Sequence, residues 1–277
     1  MNRRRYLIFA AAVVISGVSP LLAQDPPNIV RIIREDIKPG RSAAHEKVEM
    51  GYVRAFSKSK YGHYLALETI TGPGEAWFVE PYESYAALEN SIRIAESQPL
   101  KSELDQLDAQ DGEMRTGGRN MIATYQKAFS YRPGPADMGK ARYVSISVLR
   151  IRPGRNGDFA ERTKLLNEAF EKSKNPQGTA VYSVASGAPA GTFLVFRGMT
   201  SLKSMDPDSS RMSMADAFGQ ENLARFQKLQ QEVILSNENI LFGINPRMSY
   251  PPKEFVTSDP DFWAPKPKTA AKPTGTQ

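Results

Sequence analysis

The chain has 277 residues, a formal charge of +6, two histidines and no cysteine. The missing cysteines exclude disulfide stapling, thiol catalysis and thiolate metal sites. Three of the positive charges, Arg3 to Arg5, fall in the first 23 residues with no acid beside them; the rest carries +3, without the dense basic cluster of a nucleic-acid binder.

In chain order, residues 1–23 come first. A three-arginine head, an apolar run from Leu7 to Val18 and a small residue at Ala23 have the layout of a secretory signal peptide. The run is short for a membrane span, which needs about 20 residues. The expected location is periplasmic or secreted, with no integral span after processing. Residues 29–37 then alternate loosely and stop at Pro39-Gly40, predicting a strand and a turn. Residues 42–57 put Ala44, Val48, Tyr52 and Ala55 or Phe56 on one helical face. Strands at 63–70 and 75–82 flank the turn Thr71 to Gly74 as a hairpin. A short helix starts at Ser84 and a longer one covers 100–115. Gly117-Gly118 is expected to break the pattern before a last strand from Asn120.

The same order then returns. Pro39-Gly40-Arg41 aligns with Pro153-Gly154-Arg155 at an offset of 114, and later blocks align at 116 and 119. The second copy has a strand at 143–151 and a helix at 158–173 with Phe159, Thr163, Leu166 and Phe170 on one face. Strands at 179–186 and 191–198, a helix from 222 to about 237 and a closing strand from Asn239 follow. Strand, helix, strand, strand, helix, strand, twice over, is two tandem ferredoxin-like split βαβ units, an α+β class. Each sheet covers one face with helices and must bury the other, so the two should pack sheet to sheet as a barrel. The expected domains are 28–133 and 141–250, followed by a disordered Pro/Lys-rich tail at 251–277. Phe262-Trp263 could dock that tail on the body.

The stretches "REDIKPGRSAAHEKV" and "VLRIRPGRNGDFAER" resemble the dimeric α/β-barrel superfamily, with its NIPSNAP-like and antibiotic-biosynthesis-monooxygenase-like domains. The resemblance implies a fused pseudo-dimeric barrel and a small-molecule cavity. It also brings in activities such as oxygenation, haem-linked chemistry and isomerisation, and fixes none of them.

His45, Glu68 and Glu80 are the candidate catalytic groups: a neutral imidazole on the first helix, and two carboxylates on neighbouring strands able to share acid and base roles. His45 faces Phe159 in the alignment, Glu68 falls near Ser186, and Glu80 faces Phe196. His63, Trp77, Tyr82 and Arg152 are candidate ligand contacts: a strand-end imidazole, a planar-ligand wall and an anion-holding guanidinium. Each also has a plainer use, in packing or on a solvated strand. No metal site is expected, since HExxH is absent and two histidines supply no zinc signature. No phosphate loop or serine triad occurs, and the residues leave the cofactor unknown. Three readings stay open: an exported protein binding a small apolar or aromatic molecule in or near the barrel, a monooxygenase- or isomerase-like enzyme, and a cell-envelope interaction module. Self-association is compatible with all three.

Overall fold

Eight segments with apolar residues at alternate positions close into one antiparallel barrel. The computed structural model describes residues 26–133 and 135–264. The first half runs β1 (Ile29–Ile37), α1 (Ser42–Ser57), β2 (Leu65–Thr69), β3 (Glu75–Tyr82), α2 (Tyr85–Ala95), α3 (Leu100–Gly112) and β4 (Arg115–Tyr125). The second runs β5 (Tyr143–Ile151), α4 (Asn156–Lys172), β6 (Ala180–Ser186), β7 (Thr192–Met199), α5 (Met214–Phe218), α6 (Gln220–Val233) and β8 (Ile234–Ile244). Two short helices follow, α7 (Lys253–Ser258) and α8 (Pro260–Trp263). Around the barrel the order is β1-β3-β2-β8-β5-β7-β6-β4. Each half is therefore a four-stranded ferredoxin-like sheet. The halves join along β2–β8, where Glu68 faces Gly243, and along β4–β6, where Thr124 faces Ser183. The α+β, sheet-to-sheet architecture expected from the duplication is the one observed.

The strand-to-helix corners repeat in detail. Gly40 and Gly154 adopt φ of +76° and +78°, a left-handed conformation that costs glycine nothing. Arg41 N–H and Arg155 N–H then bond back to Lys38 and Arg152 carbonyls. Gly117-Gly118 does not break the chain as expected. Both lie inside β4, where a Cβ on Gly118 would meet the Arg34 carbonyl oxygen at 2.7 Å. These glycines let two backbones approach within a continuous strand. The helices before β4 and β8 accordingly end early, at Gly112 and Val233, and their strands begin at Arg115 and Ile234.

Strand alternation sorts side chains into two layers. Val30, Ile32, Leu67, Trp77, Ile146, Leu194 and Phe242 point inward and fill the barrel, with Trp77 and Phe242 ring centroids 5.1 Å apart. Trp77 Nε1–H donates to Glu75 Oε2 at 2.7 Å, and Glu75 also pairs with Arg34, so the buried indole is satisfied. Of the expected ligand room in or near the barrel, the cavities described below lie near it, while apolar side chains fill this part of its interior. The opposite faces pack under helices as separate cores, around Phe56, Tyr64 and Phe78 in the first half and Phe159, Phe193 and Leu229 in the second. Both cavities described below lie there.

The tail expected to be disordered from residue 251 is in fact placed as far as Ala264. Trp263 is buried, donates its indole N–H to the Gly139 carbonyl at 2.7 Å and packs on Phe255. One aromatic anchor with a satisfied N–H is enough to hold a polar segment. The expected signal peptide, 1–23, and the rest of the tail, 265–277, lie outside the described residues. Among those described, no helix is long and apolar enough to cross a membrane.

Candidate functional site

Helix α1 turns an unusual face toward its sheet. The buried positions include His45, Glu49, Ala55 and Phe56, not Ala44 and Val48 as expected. The face runs His45, Glu49, Tyr52, Phe56, the i, i+4, i+7, i+11 stripe of a core-facing helix with polar residues in its first half. Each of these residues sits 114 places before Phe159, Thr163, Leu166 and Phe170, the face read correctly in the second copy. That offset was the available signal for the cluster.

Beneath this face β1 supplies Glu35, and α3 supplies Asp111 from its last turn. His45 Nε2 lies 2.9 Å from Glu35 Oε2, 3.4 Å from Asp111 Oδ1 and 3.7 Å from Glu49 Oε1. One ligand-type atom from each of the four residues falls within 4.8 Å of every other, and all four side chains are buried. Arg115, at the start of β4, clamps two of them: Nη1 to Glu35 Oε1 and Nε to Asp111 Oδ2, both at 2.7 Å. Asp111 Oδ1 is left buried without a hydrogen-bond partner.

Three buried carboxylates against one guanidinium leave an excess of negative charge, and the titration behaviour reflects it. Burial, then repulsion from Glu35 and Asp111, pushes the Glu49 carboxyl well above its usual range. Burial and the Glu35 charge push Asp111 up to about 6, against the pull of Arg115 and His45. The cluster is poised to take up positive charge, as protons or as a cation.

The cluster forms one side of a cavity of about 320 Å³ between β1, β3, α1 and α3, into which Glu35, Glu49 and Arg115 open. Aromatic rings of Phe56, Tyr61, Tyr64 and Phe78 make the facing wall. Arg31 and Glu80 complete it. Arg31 Nε and Nη2 reach the two Glu80 oxygens at 2.5 and 3.0 Å, while the Tyr61 and Tyr82 hydroxyls donate to the same carboxylate at 2.9 and 2.8 Å. Arg31 Nη2 also bonds the Tyr61 hydroxyl. Burial opposes the Arg31 charge, but the Glu80 carboxylate outweighs it and raises the guanidinium's pKa. Burial and Glu80 push the Tyr82 phenol up to about 12.

The expected site residues therefore part company. His45 lies at the heart of the cluster, and Glu80 and Tyr82 belong to the Arg31 network on the cavity wall. Glu68 does not meet Glu80: it stands opposite Ala76, near the other end of the hairpin, and its Oε2 accepts from Asn245 Nδ2 at 2.8 Å. His63 packs its ring 4.9 Å from that of Tyr250. Trp77 fills the barrel, on the opposite face of the sheet from this cavity, and Arg152 is exposed beyond the end of β5. Neither histidine lines the cavity, so neither offers a haem iron an axial imidazole there. Strand register also corrects one alignment: Arg31 pairs with Glu80 as Ser145 pairs with Arg197, so the counterpart of Glu80 is Arg197, not Phe196. Glu35, Glu49, Asp111 and Arg115 were not anticipated, because nothing in their spacing brings a strand, two helices and a second strand to one point.

No family model matches the sequence, and no curated protein matches it. Solved structures do match the fold. A candidate monooxygenase from Fusobacterium nucleatum is 12% identical, with 80% of this chain and 94% of that one covered at a TM-score of 0.52. A candidate monooxygenase from Lactobacillus acidophilus is 6% identical over 79% and 94%, at 0.50. An anthrone oxidase-like protein is 11% identical over 81% and 94%, at 0.52. At such identities the likeness speaks for architecture and not for chemistry. The chain has the ferredoxin-like dimeric α/β-barrel fold, with both halves of the barrel supplied by one polypeptide.

Proposed function

We propose that the chain is a small-molecule enzyme working in the first-half cavity, with a divalent cation held by Glu35, His45, Glu49 and Asp111. The observation that carries this reading is the convergence of four buried ligand-type atoms on one point, with one carboxylate oxygen unpartnered. Ligands sharing an ion at about 2.1 Å lie within about 4.2 Å of each other. The His45–Glu35 and His45–Asp111 distances of 2.9 and 3.4 Å already suit neighbouring ligands, and the widest pairs, within 4.8 Å, must close by roughly 1 Å. Its charge suits the ion: three carboxylates less one Arg115 guanidinium leave a surplus of two. Carboxylates with one imidazole favour Mn²⁺, Fe²⁺ or Zn²⁺ over softer ions.

Bound there, the cation supplies Lewis acidity to a substrate oxygen. The chain's own groups do the rest. Arg115 fixes the outer oxygens of Glu35 and Asp111, leaving their other oxygens turned toward His45. The rings of Phe56, Tyr61, Tyr64 and Phe78 seat a planar body, and Arg31, held by Glu80, offers a fixed cation to a polar substituent. The substrate class that fits is a hydroxylated aromatic or an enolisable ketone. The names of the monooxygenase and anthrone oxidase-like neighbours belong to the same chemistry and lend it support. Export to the periplasm or beyond is part of the proposal, supported by the arginine head and apolar run of residues 1–23. N-terminal sequencing of protein from an envelope fraction tests it; an intact Met1 there overturns it.

The metal reading is tested with Mn²⁺ added to chelator-stripped protein, read by calorimetry and by electron paramagnetic resonance. One ion per chain is expected, lost in His45→Ala and in Asp111→Asn, both checked for folding by circular dichroism. Binding that survives both substitutions, or no binding to the unaltered chain, overturns it.

A further inference from the structure

The place in the second half that corresponds to the acidic cluster holds a different kind of chemistry. Between β5, β7 and α4 lies a cavity of about 150 Å³ lined by Phe129, Leu149, Phe159 and Val195, and entered by two guanidinium groups, Arg162 and Arg197. None of the residues lining it is acidic. Arg162 is 9% exposed, and its Nε donates to the neutral Gln230 Oε1 at 2.6 Å, with the guanidinium over the Phe226 ring. Arg197 Nε is buried with no hydrogen-bond partner. Among the described residues, no carboxylate pairs with either. Burial lowers the pKa of both, and no opposite charge lifts either back.

Buried cations are paired or they cost stability, because a guanidinium stripped of water needs a counter-charge. Two of them sharing one cavity without an acid is an arrangement completed by an anion from outside. The rest of the lining says what the anion is attached to. Ring and aliphatic carbons dominate, with the tilted rings of Phe159 and Phe193 packed at 4.5 Å between centroids. A cavity of about 150 Å³ with such walls accepts a benzene-sized body. Guanidinium forks match carboxylate geometry in bidentate fashion. We propose that the second-half cavity is a binding site for a small aromatic or aliphatic carboxylate of about the size of benzoate, with Arg197 and Arg162 holding its charge. This site rests on different residues from the metal cluster and stands or falls apart from it.

Benzoate is the probe, with benzamide as its neutral isostere and inorganic phosphate as an anion without an apolar body. Calorimetry on the full chain should show benzoate binding, with benzamide and phosphate each weaker by about tenfold or more, the scale of one charge-assisted bond. Arg197→Met, which keeps the stem, should cost benzoate a similar factor, while His45→Ala should leave it unchanged. Since Arg197→Met could disturb packing, Ser147→Asp supplies the second check. It places a carboxylate on the cavity wall beside the strand of Arg197. Benzoate binding should vanish in it while the midpoint of thermal unfolding holds or rises. Phosphate binding as tightly as benzoate overturns the carboxylate assignment. No benzoate binding at millimolar concentration, or binding indifferent to both Arg197→Met and Ser147→Asp, overturns the site itself.

Discussion

Two halves share one skeleton and differ in what they bury beneath their helices. Where the first half has Glu35, His45, Glu49, Asp111 and Arg115, the second has Leu149, Phe159, Thr163, Gln230 and Ile234 at matching register. Leu149, Phe159 and Ile234 belong to an apolar core with Val233, while Thr163 lines the neighbouring cavity and Gln230 accepts from Arg162. The backbone therefore does not require the charges. Three carboxylates and their guanidinium stand where the second half has uncharged residues, and buried ion clusters are commonly less stable than apolar replacements. Chemistry retained against stability points to use. The inner faces make the opposite case: Trp77 and Leu194 occupy corresponding positions inside the barrel, and both are fully buried and apolar. The outer layers of the two halves differ in charge, and the inner layers do not.

The largest effect is expected inside. Trp77→Ala should cost about 4 kcal/mol of unfolding free energy by urea titration, and Leu194→Ala about 3, since both open cavities in a filled core. A cost below about 1 kcal/mol for Leu194→Ala would mean that the second half does not share the inner core. Next comes Arg115→Ile, which gives the first half the second half's residue. It leaves Glu35 and Asp111 without their counter-charge, and about 2–3 kcal/mol should be lost, discounted for the partial exposure of the guanidinium. Added Mn²⁺ should restore part of that loss, by the linkage between binding and stability. Replacing all five residues by their counterparts, Glu35→Leu, His45→Phe, Glu49→Thr, Asp111→Gln and Arg115→Ile, should raise stability by about 1–2 kcal/mol and abolish Mn²⁺ binding. A swapped chain that fails to fold would show that the two outer cores are not interchangeable. The smallest effect belongs to the surface. Glu161→Gln breaks the exposed pair with Arg225 and should leave the midpoint of urea unfolding unchanged within error.

The architecture was legible because it was written twice. One Pro-Gly-Arg corner proves little; two at a fixed offset, each followed by the same order of elements, left few folds to consider. Errors arose where local rules compete with neighbours. Gly117-Gly118 reads as a break on propensity, yet pairing to β1 carries the strand straight through it. The face of α1 was misplaced because apolar Ala44 and Val48 outweighed His45 and Glu49 in the pattern, although Phe159 and Thr163 mark the same face one copy later. The sequence blocks align Glu80 with Phe196, one residue off the strand register that matches it to Arg197 and sets the contrast of charge between the two cavities. The cluster itself joins residues from β1, α1, α3 and β4, and no periodicity within one element could announce it. Folding alone brings them together.

The seam between β2 and β8 bears on how the molecule is made. β8 is the last strand among the described residues, and it pairs with a strand from near the beginning, while Trp263 adds its indole to the inner core later still. A chain emerging N-terminus first can form its first sheet early, but one face of that sheet stays bare until the closing strand arrives. During that interval Ile32, Leu67 and Trp77 are open to solvent, the condition under which nascent sheets aggregate. Truncation before Ile244 should leave an insoluble product with its first half nominally intact, whereas truncation after Trp263 should not.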